Sequence, residues 1–194
     1  MAFSEIELIK QANSGNDSAF EELVYRYDKT VLGIALKYTG DRDEAKDIYQ
    51  EVFIRVYKGL KKFKMKSEFS TWLYRITTNV CLTHKSWNKR HPVISLSEKI
   101  ETAEDEFGKY ELVDEDMDPA EYSLNKDLGS YINNAVESLS SKQKITFILK
   151  HYEGYKIKEI AAMLNCKEGT IKKYLFEAIR NLRKKLEPIH QIAY

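Results

Sequence analysis

Apolar residues recur every three or four positions along most of the chain, which is the spacing of one buried face on an α-helix. The clearest stripe, over residues 20–38, consists of Phe20, Leu23, Val24, Tyr27, Val31, Ile34, Ala35 and Tyr38. Asp17 or Ser18 is a suitable N-cap for this helix, and Gly40 is a suitable end. The pattern therefore predicts a long amphipathic helix in the first quarter of the chain.

Three further helices are predicted in the N-terminal half. A short amphipathic helix over residues 4–13 precedes the long one. A helix over residues 41–60 begins at Asp41, a residue typical of the N-cap position. A lysine-rich loop, residues 61–67, leads to a fourth helix over residues 70–89.

The C-terminal half begins with an acidic segment that lacks periodicity, residues 92–117, which indicates a flexible linker. Helices are then predicted over residues 118–137, 140–151, 156–164 and 168–186, with a tight turn at 165–167. We expect an all-α protein with two small helical domains. The N-terminal helical bundle takes residues 1–91, and a C-terminal helix-turn-helix domain takes residues 118–194.

Bulk features narrow the class of protein. No stretch of about 18 apolar residues is present, so we expect no membrane insertion. The two cysteines, Cys81 and Cys166, lie far apart in helical patterns and give no disulfide framework. This usage suits the reducing cytoplasm, and we expect a cytoplasmic protein.

Charge alternates along the chain in four blocks, although the net charge is only +1. Residues 1–53 have a net charge of −5, residues 54–90 of +9, residues 91–138 of −10 and residues 139–186 of +8. Two basic blocks separated by an acidic one are typical of a chain with two nucleic-acid contact surfaces. The acidic blocks indicate a surface for a protein partner, or a linker that nucleic acid repels.

The segment over residues 63–79 combines clustered aromatic side chains with basic ones. Phe69, Trp72 and Tyr74 lie among several lysines. Aromatic rings stack on unpaired bases while basic groups hold the neighbouring phosphates, so the mixture indicates a protein that handles opened strands. The alternative is a helix whose Trp72 and Ile76 pack inward while the lysines face solvent.

Residues 155–186 predict a helix-turn-helix. The second helix of this motif enters the major groove with its N-terminal part, where Lys and Arg bind phosphates or guanine edges and Glu accepts from cytosine. Its outward face carries the candidate duplex contacts Thr170, Lys172, Lys173, Phe176, Glu177 and Arg180. The alternative is a plain helical hairpin with a solvated basic face.

Three stretches, in this order, resemble bacterial RNA polymerase sigma factors of the sigma-70 superfamily, specifically the small extracytoplasmic-function (ECF) group. Residues 43–53, DEAKDIYQEVF, are similar to the family's polymerase-binding helix. Residues 69–79, FSTWLYRITTN, are similar to its promoter-melting segment. Residues 159–172, with EIA at the start and GTIK at the end, are similar to the reader of the −35 element. The motifs are specific in combination and in order.

The resemblance implies roles for these residues. Asp47, Gln50 and Glu51 would bind the coiled-coil clamp of the polymerase's largest subunit. A base flipped out of the −10 element would be received by Phe63, the loop through Ser67, and Asn79. The full set implied for the −10 element and melting is Phe63, Ser67, Phe69, Thr71, Trp72, Tyr74, Arg75, Asn79 and Arg90. The set implied for the −35 element is Thr170, Lys172, Lys173, Phe176, Glu177 and Arg180.

The expected function is a transcription initiation factor, not an enzyme. It would bind core RNA polymerase, recognise the −35 and −10 promoter elements in DNA, and promote melting. The resemblance also implies an anti-sigma partner. Neither a cofactor nor a metal site is predicted, since Cys81 and His84 provide only half of one.

Two other classes remain open from the sequence. One is a helix-turn-helix regulator that binds duplex DNA and does not replace the polymerase sigma subunit. The other is a small recombinase with a helix-turn-helix tail. That enzyme would need a nucleophile with clustered arginines, whereas the arginines here are scattered along the chain.

Overall fold

The computed structural model describes residues 3–90, 129 and 131–190, in which every regular element is a helix. The helices are α1 (Glu5–Asn13), α2 (Asp17–Thr39), α3 (Arg42–Leu60), α4 (Phe69–Arg90), α5 (131–137), α6 (Ser141–Phe147), α7 (Ile157–Met163) and α8 (Glu168–His190). A π-helical turn, Ile148–Tyr152, extends α6. The expected all-α class is confirmed. The predicted linker, residues 92–117, lies outside the described residues.

Local hydrogen bonds explain the limits of α2 and α3. Gly40 ends α2 with a φ of 74°, and its N–H donates to the carbonyl of Leu36 at 2.8 Å. This left-handed conformation favours glycine because an added Cβ is strained there. Asp41 then caps α3, since its Oδ1 accepts from the backbone N–H groups of Asp43 and Glu44 at 2.9 Å each. The predicted end of α2 and start of α3 are confirmed. The predicted N-cap of α2 is wrong, because the cap is Asn16, not Asp17 or Ser18, and its side chain accepts from the N–H of Ala19.

The helix predicted over residues 140–151 begins as expected but changes type. A capping box joins Ser140 and Gln143, whose backbone and side-chain groups bond reciprocally. After Phe147 the helix widens into the π turn, and the N–H of Glu153 donates to the carbonyl of Ile148 at 3.1 Å. Ile148 and Leu149 at the start of this turn are both fully buried.

One hydrophobic core joins the two halves of the molecule. Helices α1 to α4 supply most of its buried side chains, and the C-terminal half adds Ile145, Ile148, Leu149, Ile160, Ala161, Met163, Ile171 and Leu175. A smaller cluster lies within the C-terminal half, where Ala135, Val136 and Leu139 pack against Ala178 and Leu182. The sequence does not predict the shared core.

Polar contacts accompany the apolar packing between the halves. Helix α4 lies against α6 and α7, while α2 lies against the π turn. The Lys37 ammonium is 2.8 Å from the carboxylate of Glu153. Nη2 of Arg75 donates to Oδ1 of Asn165, also at 2.8 Å. The turn of the predicted helix-turn-helix therefore contacts α4 directly.

A buried lysine connects three helices at this contact. Lys144 of α6 has no exposed surface, and its ammonium pairs with the carboxylate of Glu137. The same ammonium lies 5.5 Å from the centre of the Tyr38 ring on α2. A charge without water contact needs such partners, because an unpaired buried ion is costly. Lys144 thus depends on α2 and α5 being in place together.

Candidate functional site

The outward face of α8 presents the predicted duplex contacts. Ile171, Leu175, Ala178 and Leu182 are buried on the opposite face, so the basic face points to solvent. The exposed members of the predicted set are Lys172, Lys173, Phe176 and Arg180, and Phe176 is 67% exposed. Thr170 is half-buried near the start of the helix. The geometry suits major-groove binding by the N-terminal part of α8.

The turn between α7 and α8 has the compact form that a helix-turn-helix requires. Asn165 takes a positive φ of 50°, a conformation that asparagine tolerates better than most residues. The next N–H, of Cys166, donates to the carbonyl of Ala161 at 3.0 Å. Ile160 and Ala161 are buried beneath the turn. The predicted turn at 165–167 is therefore present.

Glu177 differs from its neighbours on α8. It is half-buried, and its Oε2 accepts from Nε2 of Gln143 at 3.0 Å. Its other carboxylate oxygen is 3.9 Å from the ammonium of Lys173. The carboxylate is therefore held against α6 by one oxygen, and its remaining acceptor positions are free to contact a base.

The aromatic cluster predicted to contact opened strands packs largely against itself. The ring of Phe63 stacks on Trp72 with 4.9 Å between centroids, and Phe69 lies 5.7 Å from Trp72. Phe69 is buried and Trp72 is half-buried. A Cβ at Gly59 would be only 3.1 Å from the Trp72 ring, so the glycine allows close packing. In this arrangement Trp72 packs inward together with Phe69, and Ile76, the other residue of the inward-packing alternative, is half-buried.

Tyr74 lies in the contact between the N-terminal and C-terminal halves of the molecule. It is 4% exposed, and its ring centroid is 5.5 Å from that of Tyr155. Burial, together with a hydrogen bond to Tyr74, raises the pKa of Tyr155 far above its ordinary value, so the phenol remains neutral. Tyr74 is therefore not available to nucleic acid in this arrangement, contrary to the exposed position that its predicted role needs.

The other residues predicted for the −10 element occupy different surroundings. Arg75 and Asn79 are exposed on α4, and Thr71 is half-buried. Arg75 donates to Asn165 through Nη2, which leaves the other N–H donors of its exposed guanidinium available. Arg90 lies at the end of α4, and its side chain is outside the described residues.

A pocket of about 240 Å³ lies between α1 and the α3–α4 loop (residues 61–68), and we call it the α1–loop pocket. Its lining consists of Glu5, Ile6, Ile9, Phe63, Met65, Lys66, Ser67, Glu68 and Phe69. The structure therefore brings three predicted residues, Phe63, Ser67 and Phe69, to one cavity. Asn79 is not part of the lining. Sequence reasoning missed the contribution of α1, because no local pattern places it beside a loop more than fifty residues away.

The outward face of α3 is the candidate protein-binding surface. Asp47 and Gln50 are exposed, while Glu51 is half-buried and its carboxylate is 2.6 Å from Nε of Arg55. Ile54 is 46% exposed and lies two turns after Asp47, on the same face. Sequence reasoning missed Ile54, although an apolar residue outside the buried stripe could have identified it.

Cys81 and His84 have different surroundings on α4. Cys81 is fully buried, and burial raises the pKa of its thiol to about 12. His84 lies 3.6 Å from the carboxylate of Glu44. Within residues 3–90, 129 and 131–190, no group of three or more His, Cys, Asp and Glu residues is placed to hold a metal ion. In the same part of the chain, no helix has both the length and the apolar character to cross a bilayer.

Solved structures share this architecture. CnrH, solved in complex with the cytosolic domain of CnrY, aligns with a TM-score of 0.63 and 19% identity, over 93% of this chain and 96% of that one. The sigma factor RpoE of Bartonella quintana, solved with the anti-sigma factor NepR, aligns with a TM-score of 0.61 and 20% identity, over 87% of this chain and 96% of that one. At these identities the likeness shows the fold alone.

Sequence comparison identifies the family. The fold and the exposed basic face of α8 define a helix-turn-helix DNA-binding protein. Residues 23–91 match Sigma-70 region 2, and residues 130–182 match Sigma-70 region 4. The RNA polymerase sigma-H factor of Pseudomonas aeruginosa is 30% identical over 185 residues, and the ECF RNA polymerase sigma-E factor of Escherichia coli K12 is 30% identical over 182 residues, each covering 94% of both chains. The chain belongs to the ECF group of RNA polymerase sigma factors, as the resemblance predicted.

Proposed function

We propose that this chain binds core RNA polymerase in the cytoplasm and directs it to promoters with −35 and −10 elements. It contributes binding surfaces and no catalytic group. The proposal rests on one observation. A single chain has an acidic and apolar face on α3, a pocket lined by aromatic rings beside the basic loop, and an exposed basic face on α8. The α3 face and the pocket belong to a proposed domain of residues 1–91, and α8 to one of residues 118–194.

Recognition of the −35 element is assigned to α8. Lys172, Lys173 and Arg180 are exposed cations on one face, so they can contact phosphates and base edges of a duplex. Phe176, exposed between them, can make an apolar contact with a thymine methyl group. These contacts would fix the position of the protein on the promoter.

Strand opening at the −10 element is assigned to capture of an extruded base. The α1–loop pocket has Phe63 on its wall and Lys66 at its edge, a combination that can hold a base and the phosphate beside it. The free energy of capture would offset the cost of unpairing, and ATP is not required. Arg75, exposed on α4, would add a contact to a phosphate.

Polymerase binding is assigned to the outward face of α3. Asp47 and Gln50 supply polar contacts, and Ile54 supplies an exposed apolar one between them and the end of the helix. An apolar centre with a polar rim is the usual anatomy of a protein interface. The polymerase clamp helices are the proposed partner of this face.

An anti-sigma protein is the second proposed partner. CnrH was solved with the cytosolic domain of CnrY, and the Bartonella RpoE with NepR. We extend that kind of partnership to this chain on the strength of the shared fold. Such a partner would compete with polymerase for the face of α3 or with DNA for α8.

The test of the proposed function is competition for core RNA polymerase. The purified chain is mixed with core enzyme from the same organism, and the complex is isolated by size exclusion. We expect stoichiometric association that the housekeeping sigma factor reverses, and promoter-specific transcripts from the resulting holoenzyme. Binding of duplex DNA without association to core enzyme would reject the proposal in favour of a helix-turn-helix regulator.

Lys173→Ala should weaken binding of the holoenzyme to −35 duplex DNA by about 3- to 10-fold. The lysine is exposed on the reading face, and removal of one phosphate contact should also reduce the salt slope of log K by about one. Fluorescence anisotropy across a salt series measures both quantities. Lys29→Ala, an exposed lysine of α2, is the matched control and should change neither. Equal behaviour of the two variants would remove Lys173 from the reading face.

A further inference from the structure

The α1–loop pocket has an apolar floor and one carboxylate that is fixed in place. Ile9 and Phe69 are buried beneath it. Glu5, in the first turn of α1, is half-buried at its wall. Glu68 also lines the pocket, but it is exposed. The two carboxylates therefore differ in freedom of movement.

Tyr27 holds Glu5 in this position. The Tyr27 hydroxyl donates a hydrogen bond to Oε2 of Glu5 across the groove between α2 and α1. Burial, reinforced by this bond, raises the pKa of Tyr27 far above its ordinary value, so the phenol remains a donor. An ionised carboxylate has about four acceptor positions, and one bond from Tyr27 leaves capacity for a donor in the pocket.

The loop that forms the other wall has unusual backbone geometry. Met65 takes a φ of 53°, which is uncommon for a residue other than glycine. Its side chain is 41% exposed although it lines the pocket. This backbone conformation beside an open pocket indicates that the loop binds a ligand as well as connecting α3 to α4.

We propose that Glu5 selects the base that the α1–loop pocket captures, by accepting a hydrogen bond from an exocyclic amino group. Cytosine, adenine and guanine carry such a group, and thymine does not. Thymine offers only its ring N3–H, and the two carbonyl oxygens that flank this donor would be repelled by the carboxylate. The inference rests on the proposed function, because it concerns which base the −10 pocket accepts.

The test measures base preference with the intact holoenzyme. Promoter DNA with a single-stranded non-template −10 region is randomised, and the bound fraction is sequenced for wild type and for Glu5→Gln. We expect wild type to disfavour thymine at least tenfold at one position. Glu5→Gln retains an acceptor for Tyr27 but adds an amide donor that thymine can use, so the discrimination there should fall to about threefold or less. Preferences at other positions and at the −35 element should not change.

Two further variants complete the test. Tyr27→Phe frees the Glu5 carboxylate without removing it and should weaken the discrimination at the same position, whereas Glu21→Gln, at an exposed acid of α2 outside the pocket, should leave it intact. Superimposable preferences for wild type, Glu5→Gln and Tyr27→Phe would overturn the inference while leaving the proposed function standing. Failure of the wild-type holoenzyme to select any −10 sequence would instead reject the proposed function.

Discussion

Truncation of Leu149 to alanine is expected to lower the free energy of unfolding by about 2–5 kcal/mol, the cost typical of a buried leucine. The side chain is fully buried in the core that joins the two halves. Both tryptophans of the chain, Trp72 and Trp87, precede residue 91. Because the core is shared, loss of this C-terminal side chain should shift the unfolding midpoint that tryptophan fluorescence reports from the N-terminal half.

The measurement is chemical denaturation followed in parallel by fluorescence and circular dichroism. For wild type and Leu149→Ala alike, the two signals should give coincident transitions, the mark of cooperative unfolding. Leu186→Ala, a half-buried leucine near the end of α8, is the control and should cost about 1 kcal/mol or less. A dichroism transition that moves in Leu149→Ala while the fluorescence transition stays fixed would contradict the shared core.

Features set by neighbouring residues could be predicted from the sequence. The ends of α2 and α3 follow from Gly40 and Asp41, whose conformational preference and side-chain acceptor act within a few residues. The turn at Asn165 and the buried stripe of α8 are equally local. In each case the periodicity and the cap lie within one segment, so tertiary contacts had little to change.

Features set by contacts between the halves could not be predicted. The aromatic and basic mixture over residues 63–79 and the family resemblance suggested that Tyr74 contacts DNA, but neither identifies which surface covers a ring. The structure gives that surface as Tyr155, about eighty residues later. The hydrogen bond between Arg75 and Asn165 could not be predicted for the same reason. The residues expected to act on opened DNA therefore include one, Tyr74, that first has to leave an internal partner.

In the candidate site, too, contacts between distant segments could not be predicted from the sequence. The resemblance implied one pocket for Phe63, Ser67 and Asn79, and the structure gives a pocket lined by Phe63, Ser67 and Phe69 but not by Asn79. Glu5 enters the pocket only because α1 packs across the α3–α4 loop. Ile54 was missed because only the apolar residues in the buried stripe of α3 were considered, and Ile54 lies on the exposed face.

Reversing the charge of Asp47 is expected to reduce affinity for core RNA polymerase by roughly 10- to 100-fold, because like charges at an interface cost several kcal/mol. Asp47→Lys places a cation on the exposed face of α3, two turns before Ile54, and removes an acidic group that can pair with a basic partner. Stability should change by less than about 0.5 kcal/mol, since the side chain is exposed and no buried group depends on it. Competition against the housekeeping sigma factor measures the affinity.

Glu21→Lys is the matched control for Asp47→Lys. Glu21 is an exposed acid on α2, so its reversal alters the net charge of the chain by the same amount without touching α3. If both variants lost affinity equally, the effect would be a general consequence of charge and would fall away together at high salt. A loss confined to Asp47→Lys that persists as salt is raised would instead place the polymerase contact on α3. Ile54→Ala should then produce a further loss, because the apolar contact beside the charge is not screened by salt.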